Sequence, residues 1–454
     1  MSQSGERAPT RSLGLLDATM VGMGAMIGAG IFVLTGLAAE IAGPAAILVF
    51  GLNGVVTTFT ALSYAELASA IPQSGGGYAF VKEVFAPASS FVMGWMLWFA
   101  YTIAGALYAI GFASNFVEFL SLFGVHVPET ARLLGVTIPV AEIGFAVGIV
   151  GLLAALNAVS TSASGGAETA VTLVKIAILL VFAGFGAFAA EPGEFTPFFP
   201  AGELSVVPAM GLTFIAFEGY DLIATVTEEV ENPRKNIPRA IFLSLAATIV
   251  IYLLVVYVAI GTLGAERLGA AGETAIAQAA ESFMPAVPLL GSGASLIAFG
   301  AVFSTVSALN AVVLASSRVA FAMGRERQLP PDFGRLHSKY GTPFRAVLVS
   351  AGIMAVSVVG LPIQQVGNLS SLFFLLSFVV VNASVIRLRR ERPNVTRPFE
   401  IPLYPAPPVL GILLNLVIAG YFLVTDPVTW GLAVAWLAFG GGVYLFLERR
   451  KDQL

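Results

Sequence analysis

The sequence predicts an all-α polytopic membrane protein with about twelve transmembrane helices. Of its 454 residues, 57% are hydrophobic and only 11% are charged, whereas soluble domains carry roughly 25% charged residues. The charges fall in short clusters separated by apolar runs of about 20 residues or more, the length that crosses ~30 Å of hydrocarbon. Because the apolar runs are continuous rather than alternating, a transmembrane β-barrel is excluded.

Corresponding breaks near the middle of spans 1 and 6 divide the predicted spans into two sets of five and a final pair. The first set would form one inverted repeat (12–190) and the second set another (206–387), with the last two spans (407–447) outside the repeat. Loops are short, so 1–454 is predicted to be a single transmembrane domain. The longest loops are 121–137, 264–287, 322–343 and 388–406. The twelve predicted spans are 14–38, 43–70, 88–120, 138–158, 167–190, 206–227, 239–263, 288–321, 344–361, 367–387, 407–425 and 428–447.

The distribution of Lys and Arg predicts that both termini are cytoplasmic. With this orientation, 20 of the 23 basic residues fall in inside segments. Only Arg132 and Arg267 fall outside, and Lys175 lies within a span. An excess of Lys and Arg marks the cytoplasmic loops of membrane proteins. We therefore expect a multi-pass protein embedded in the lipid bilayer of the cell (cytoplasmic) membrane.

Composition also excludes several kinds of chemistry. The chain has no cysteine and only two histidines, His126 and His337. Disulfides, thiol catalysis and thiolate metal sites are therefore excluded, and a histidine-rich metal or haem site is not expected. The acids are scattered rather than grouped into a catalytic cluster. We expect no catalytic residues, no metal, no cofactor and no nucleic-acid partner, and the sequence leaves the oligomeric state open.

A glycine-rich stretch interrupts the first span near its midpoint, where residues 22–30 read GMGAMIGAG. Glycine lowers helix stability, and a break leaves backbone groups unpaired in a region without water. Unwinding at Gly28, Ala29 and Gly30 would expose amides at the start of the outer half-helix, which favour a carboxylate. The carbonyls freed on the inner half-helix favour a cation, so the pair of ends fits a zwitterion. The alternative is a helix-packing face, since two of these glycines are four residues apart.

The sixth span carries a second break, around Gly219. Two breaks in corresponding places, in spans that run in opposite directions, indicate the substrate site of a secondary transporter with inverted repeats. Phe217 can close over a bound side chain as a lid, and Tyr220 can do the same or donate a hydrogen bond. Glu218, an acid near mid-membrane, either attracts a cationic group, carries a coupling proton or is a protonated carboxyl bonded to a neighbouring helix. Asp221 is either a gating residue or a packing residue.

Lys175 is a cation deep inside a span. It lies about eight residues into span 5, or ~12 Å deep by helical rise. One interpretation is that its long stem reaches back to the cytoplasmic interface. The other is that its ammonium lies beside the carbonyls freed by the break in span 1, replaces a bound cation there and can release its proton.

Two further polar segments are candidates for coupling and gating. Span 8 supplies Ser304, Thr305 and Ser307, whose hydroxyls either bond their own helix backbone or face the break in span 1. The charged end of span 6 begins at Glu228 and continues through Asn-Pro and Ile-Pro turns. This composition indicates a gate or a scaffold rather than a catalytic element.

Four motifs together resemble the transporters of the amino acid–polyamine–organocation (APC) superfamily. The resemblance covers spans 1 to 10 and implies a five-plus-five inverted repeat of the leucine-transporter type. It further implies an amino acid bound among spans 1, 3, 6 and 8, and alternating access. The motifs are Gly24-Ala-Met-Ile-Gly28-Ala-Gly30-Ile31-Phe32, Tyr64-Ala-Glu66-Leu-Ala, Pro72-Gln-Ser-Gly-Gly-Gly-Tyr78 and Glu228-Glu229-Val-Glu-Asn232-Pro233-Arg-Lys-Asn-Ile-Pro238.

The resemblance also implies roles for particular residues. The amides of Ile27–Gly30 would hold the α-carboxylate, the carbonyls of Phe214–Phe217 would receive the α-ammonium, and Phe217 would be the outer lid. Lys175 looks like the lysine of proton-coupled prokaryotic members, whose amine takes the place of a sodium ion. Glu218 departs from the small or apolar residue expected at its position, which leaves the preferred side chain open and favours a cationic substrate slightly more.

From these observations we expect a proton-coupled amino acid transporter that takes its substrate up. The coupling candidates are Lys175, Ser304 and Thr305. The substrate-binding candidates are Ile27, Gly28, Ala29, Gly30, Phe214, Phe217, Glu218 and Tyr220. The alternative within the same class is an amino acid exchanger that needs no ion. An ion channel is disfavoured, because it would need repeated pore-lining motifs or charged rings and the sequence shows none.

Overall fold

The computed structural model describes residues 12–73, 75–127, 131–133, 136–160, 165–286 and 291–451. Apart from one short β-hairpin, the regular structure in these ranges is helical, which confirms the predicted fold class. Ten helical segments are long and apolar enough to cross a membrane, and the first of them, Leu15–Ala70, has 56 residues. Since one crossing needs about 20 residues, this segment contains two of the predicted spans. The apolar helix Phe344–Gly360 is shorter and corresponds to predicted span 9.

The elements are numbered in chain order. The helices are α1 Leu15–Met26, α2 Ala29–Ala42, α3 Ala46–Ala70, α4 Gly76–Val84, α5 Pro87–Leu122, α6 Val140–Val159, α7 Gly165–Gly186, α8 Val206–Thr213, α9 Pro233–Leu263, α10 Ala265–Ala271, α11 Ala275–Phe283, α12 Gly293–Arg325, α13 Phe344–Gly360, α14 Ile363–Glu391, α15 Ala406–Thr425 and α16 Pro427–Lys451. The strands are β1 Ala131–Leu133 and β2 Val136–Ile138, which pair antiparallel.

Several segments predicted as loops contain structure. The predicted loop 264–287 holds α10 and α11, and the predicted loop 121–137 holds β1 and most of β2. The connection between spans 2 and 3 contains α4. These elements are too short to form the long apolar runs on which the span prediction rests. Span 8 begins at Gly293 and ends at Arg325 rather than covering 288–321, and 288–290 lie outside the described residues.

The broken helices lie at the centre of the bundle. In the most apolar stretch of each segment, 94% of the residues are buried in Leu15–Ala70 and in Pro87–Leu122, and 89% in Glu203–Glu229. The last segment, Pro427–Arg449, is only 11% buried and forms the outer layer. α5 packs against α12 along much of its length. These elements therefore enclose the place where both predicted breaks occur.

Candidate binding site between the broken helices

The first break lies between α1 and α2. α1 ends at Met26, Ile27 and Gly28 leave the helical conformation, and α2 begins at Ala29. The Gly28 amide bonds to the Met26 carbonyl, two residues back, at 2.8 Å. The last carbonyls of α1 and the first amides of α2 therefore have no partners within their own helices. The break is real, and it provides both kinds of free backbone group that the sequence predicts.

The second break follows α8. A 3-10 turn covers Phe214–Phe217, Glu218 is extended, and a second 3-10 segment begins at Tyr220. Gly219 has φ 137°, which an L side chain rarely adopts. A β-carbon on Gly219 would also lie 2.7 Å from the backbone nitrogen of Met26. This position therefore requires glycine for two separate reasons.

The two breaks lie against each other in antiparallel spans. α1 packs against the 3-10 segment that follows the second break, and α2 packs against α8. Among the close contacts between the two spans, the residue numbers rise along the first span and fall along the other. The contacting pairs are Gly22 with Ile223, Met26 with Gly219, and Gly30 with Ala216. The two broken spans thus run in opposite directions, as the sequence predicts.

Lys175 reaches the first break rather than the membrane surface. The side chain is fully buried on α7. Its Nζ donates hydrogen bonds to the carbonyl oxygens of Gly24 at 2.8 Å and Ile27 at 3.2 Å, and to the Ser307 hydroxyl at 3.0 Å. The carboxyl end of a helix carries a partial negative charge. The amine therefore occupies the position at the end of α1 where a cation is stabilised.

Of the span 8 hydroxyls, one faces the break in span 1 and another bonds its own helix backbone. The Ser304 hydroxyl donates to the Ile27 carbonyl at 2.6 Å, so it contacts the break directly. The Thr305 hydroxyl bonds the Ala301 carbonyl of its own helix at 2.8 Å. Ser304 and Lys175 thus share one carbonyl acceptor, whereas Thr305 does not reach it.

Tyr252 on α9 links the two breaks and was not predicted from the sequence. Its hydroxyl lies 2.5 Å from the Met26 carbonyl oxygen and 3.0 Å from the Ala216 carbonyl oxygen. Its ring packs against Phe50 and Phe217, with centroids 5.8 Å and 5.3 Å away. The signal in the sequence is a tyrosine in mid-span, since a buried hydroxyl needs a partner. The sequence does not show which helix supplies that partner.

Asp221 is tied to α5. It accepts a hydrogen bond from the Gly219 amide at 2.9 Å, and the Tyr101 hydroxyl donates to its other oxygen. Tyr101 is a second aromatic residue that the sequence prediction missed. The gating role of Asp221 stays a prediction, and the contact identifies α5 as the element that such a gate would involve.

A narrow cavity of about 10 Å³ lies beside the two breaks. Glu218 is the one acid in its lining, and both of its carboxyl oxygens are buried without a hydrogen-bond partner among the residues described. The lining residues are Ala25, Tyr101, Ala104, Tyr108, Glu218, Gly219, Leu222, Val312 and Phe374. The second break therefore presents an unsatisfied acid to a space beside the first break.

The remaining predicted site residues of the sixth span are not part of the lining of this cavity. Phe214 and Tyr220 pack against Phe378, with ring centroids 6.1 Å and 5.9 Å away. Phe217 is fully buried, and its ring would have to leave Tyr252 to act as a lid. Glu228 is exposed near the end of its 3-10 segment. Their proposed roles in binding and gating stay predictions.

Backbone hydrogen bonds connect the start of span 1 to the end of span 6. The amides of Ser12 and Leu13 both lie 3.0 Å from the Glu229 carbonyl, and the Glu231 amide donates to the Leu13 carbonyl at 2.9 Å. The two broken spans are thus joined at this end of the bundle as well as at their midpoints. Within the described ranges, no group of three or more His, Cys, Asp or Glu residues could hold a metal ion.

Comparison with known proteins identifies a family. The profile described as "Amino acid permease" matches residues 13–443. The methylthioribose transporter of Bacillus subtilis is 33% identical, over 100% of this chain and 96% of the relative. A branched-chain amino acid permease of the same organism is 31% identical, over 99% of this chain and 96% of the relative. The serine/threonine exchanger of Bacillus subtilis is 27% identical, over 97% of this chain and 98% of the relative.

Proposed function

The chain belongs to the amino acid permease family, and we propose that it is a secondary active transporter of amino acids, coupled to protons and working by alternating access. Permeases are transporters and not enzymes, and the helices form a multi-pass membrane protein. Amino acids appear in the names of two of the three relatives described above. The two contacting breaks support this substrate, because their half-helix ends complement a zwitterion.

The proposed substrate position follows from the free backbone groups. We assign the α-carboxylate to the amides of Ile27–Gly30 at the positive end of α2. The Ile27 and Gly28 amides bond the Met23 and Met26 carbonyls in this structure, so they would have to release these carbonyls when substrate binds. Carbonyls of Phe214–Phe217 receive the α-ammonium, although the Ala216 carbonyl is already bonded to Tyr252. A carbonyl has a second lone pair and can accept both. The adjoining cavity is narrow, so the structure fits a closed form in the transport cycle.

The observation that carries the proton coupling is the contact of Lys175 with the end of α1. The protonated amine neutralises the negative helix end and holds the Gly24 and Ile27 carbonyls in place. Loss of the proton removes this charge and weakens both hydrogen bonds. α1 is then freer to move against α7, which couples protonation of Lys175 to the shape of the substrate site.

Alternating access requires two gates around a fixed site. We assign the cytoplasmic gate to the backbone pairing of Leu13 with Glu229 and Glu231, near Glu228, and a mid-membrane gate to the Asp221 contact with α5. This assignment uses the cytoplasmic termini that the positive-inside rule predicts. The antiparallel crossing of the two broken spans also supports the five-plus-five inverted repeat proposed for 12–190 and 206–387.

Uptake into proteoliposomes tests the proposal. Radiolabelled amino acids are offered with and without an inward proton gradient, in buffers with and without sodium. We expect accumulation driven by the proton gradient, and loss of this stimulation in Lys175→Gln. Thr305→Val is the control, since Thr305 lies on a facing helix without contacting the break. Uptake driven by sodium, or proton-driven uptake unchanged in Lys175→Gln, would contradict the coupling.

An ion-independent exchanger is the second candidate, favoured by the 27% identity to a serine/threonine exchanger. Preloading the vesicles with unlabelled substrate discriminates the two. Exchange predicts strong stimulation of uptake by internal substrate and no response to the proton gradient. Proton coupling predicts net accumulation into empty vesicles.

A further inference from the structure

The carboxyl group of Glu218 differs from the other acid at the second break. Its side chain is only 4% exposed, and neither oxygen has a hydrogen-bond partner within the described part of the chain. Asp221, three residues away, receives hydrogen bonds from Tyr101 and from the Gly219 amide. Only one of the two acids is therefore satisfied by the protein.

An unsatisfied buried carboxyl is energetically costly. A buried polar group without a partner is destabilising, and an ionised one is more so. The buried cation near the first break, Lys175, already donates to two carbonyls and a hydroxyl. The partner that satisfies Glu218 is therefore expected to come from outside the chain.

The location of Glu218 indicates what this partner is. It lines the cavity beside the two breaks, next to Ala25 of α1 and the aromatic rings of Tyr101, Tyr108 and Phe374. Aromatic faces attract cations, and a carboxylate pairs with an ammonium or guanidinium group. A neutral substrate side chain would leave the carboxyl unpaired, whereas a cationic side chain would neutralise it.

We propose that Glu218 selects amino acids with a positively charged side chain. This inference rests on the proposed function, because it assumes that the α-amino and α-carboxyl groups bind at the backbone groups of the breaks. Those groups already account for both charges of the zwitterion. Glu218 supplies one further carboxyl group, which on ionising matches one additional positive charge on the substrate side chain.

The test uses pairs of substrates that differ in one charge. Arginine is compared with citrulline, and lysine with norleucine, as competitors of arginine uptake in proteoliposomes and as ligands in thermal-shift assays. We expect the unmodified protein to prefer each cationic member by tenfold or more. In Glu218→Gln the ratio of affinities for the cationic and the neutral member of each pair should fall close to one, while the variant still binds citrulline and norleucine. Glu281→Gln, which removes an exposed acid on α11, should keep the full preference.

The outcomes separate this inference from the proposed function. Preference for the neutral member of each pair, or a charge preference unchanged in Glu218→Gln, overturns the role of Glu218 and leaves amino acid transport intact. Binding of neutral amino acids by Glu218→Gln shows that the variant is folded. Failure of the unmodified protein to bind or transport any amino acid overturns both proposals.

Discussion

The hydroxyl of Tyr252 lies 2.5 Å from the carbonyl oxygen of Met26, the last residue of α1. The same hydroxyl lies 3.0 Å from the Ala216 carbonyl, in the 3-10 turn of the second break. One side chain of α9 therefore lies within hydrogen-bond distance of a carbonyl on each broken span, and its single hydroxyl proton is shared between the two acceptors. This contact fixes the distance between the two breaks, and with it the shape of the site between them.

Tyr252→Phe should destabilise the closed form and reduce transport. The change keeps the ring contacts with Phe50 and Phe217 but removes the hydroxyl that lies between the two carbonyls. The Met26 carbonyl keeps the Gly28 amide as a donor, whereas the Ala216 carbonyl loses its hydrogen bond to Tyr252, at a cost of about 1–3 kcal/mol. Thermal unfolding in detergent and initial rates of uptake measure the effect. Tyr257→Phe is the matched control, because this tyrosine on the same helix is 38% exposed. Equal effects of the two substitutions would contradict the linking role of Tyr252.

Ser304→Ala and Thr305→Val should differ, although the residues are adjacent on α12. Ser304 donates to the Ile27 carbonyl at the break, whereas Thr305 bonds its own helix. Loss of the hydrogen bond from Ser304 should cost about 1 kcal/mol of binding free energy, which lowers the apparent substrate affinity roughly fivefold. Thr305→Val should change the affinity little. Uptake kinetics over a range of substrate concentrations measure both, and a larger effect of Thr305→Val would show that the break does not depend on Ser304.

Gly219→Ala should abolish transport. Its φ of 137° strains an L residue by on the order of 1–3 kcal/mol, and the added β-carbon would lie 2.7 Å from the Met26 nitrogen. The two broken spans would have to separate. Gly420→Ala is the control, because a β-carbon there meets nothing within 4 Å. Replacing a helical glycine without clashes should stabilise α15 by about 1 kcal/mol. Normal uptake by Gly219→Ala would show that the close contact is not required.

The long helices were predictable because the membrane imposes a length and a composition on each crossing. The short elements were not. α10 and α11 lie in a segment predicted as a loop, yet Leu268 and Ala275 on them are fully buried. Their apolar stretches are shorter than a membrane crossing, so their burial depends on packing against neighbouring helices, which composition does not reveal.

The site was predictable where the sequence carries a costly residue. Glycines in mid-span and an isolated lysine are unfavourable in a membrane unless they have a function, and the structure brings Gly24 and Lys175 together. Tyr101 and Tyr252 were missed because an aromatic residue in a span is ordinary. Their importance depends on which carbonyl or carboxylate lies opposite, and one sequence does not show how helices are rotated.

Glu66 holds the segment after α14 against the end of α3. This acid is fully buried. It accepts two hydrogen bonds from Arg389, at 2.7 Å and 2.6 Å, and one from the Ile401 amide at 2.8 Å. Arg389 also stacks over the ring of Tyr404 at 4.0 Å. A single carboxylate thus joins α3 to the end of α14 and to the segment that follows it.

Glu66→Gln should therefore destabilise the protein strongly without changing its substrate preference. The substitution leaves Arg389 without its anionic partner, and breaking a buried ion pair costs on the order of 3–5 kcal/mol. Because Arg389 is 19% exposed, we expect the lower end of this range. Glu391→Gln is the control: its pair with Arg387 is exposed on both sides and is worth at most about 1 kcal/mol. Thermal unfolding and limited proteolysis of the segment after α14 measure the difference. Equal stability of the two variants would show that the buried carboxylate does not anchor this segment.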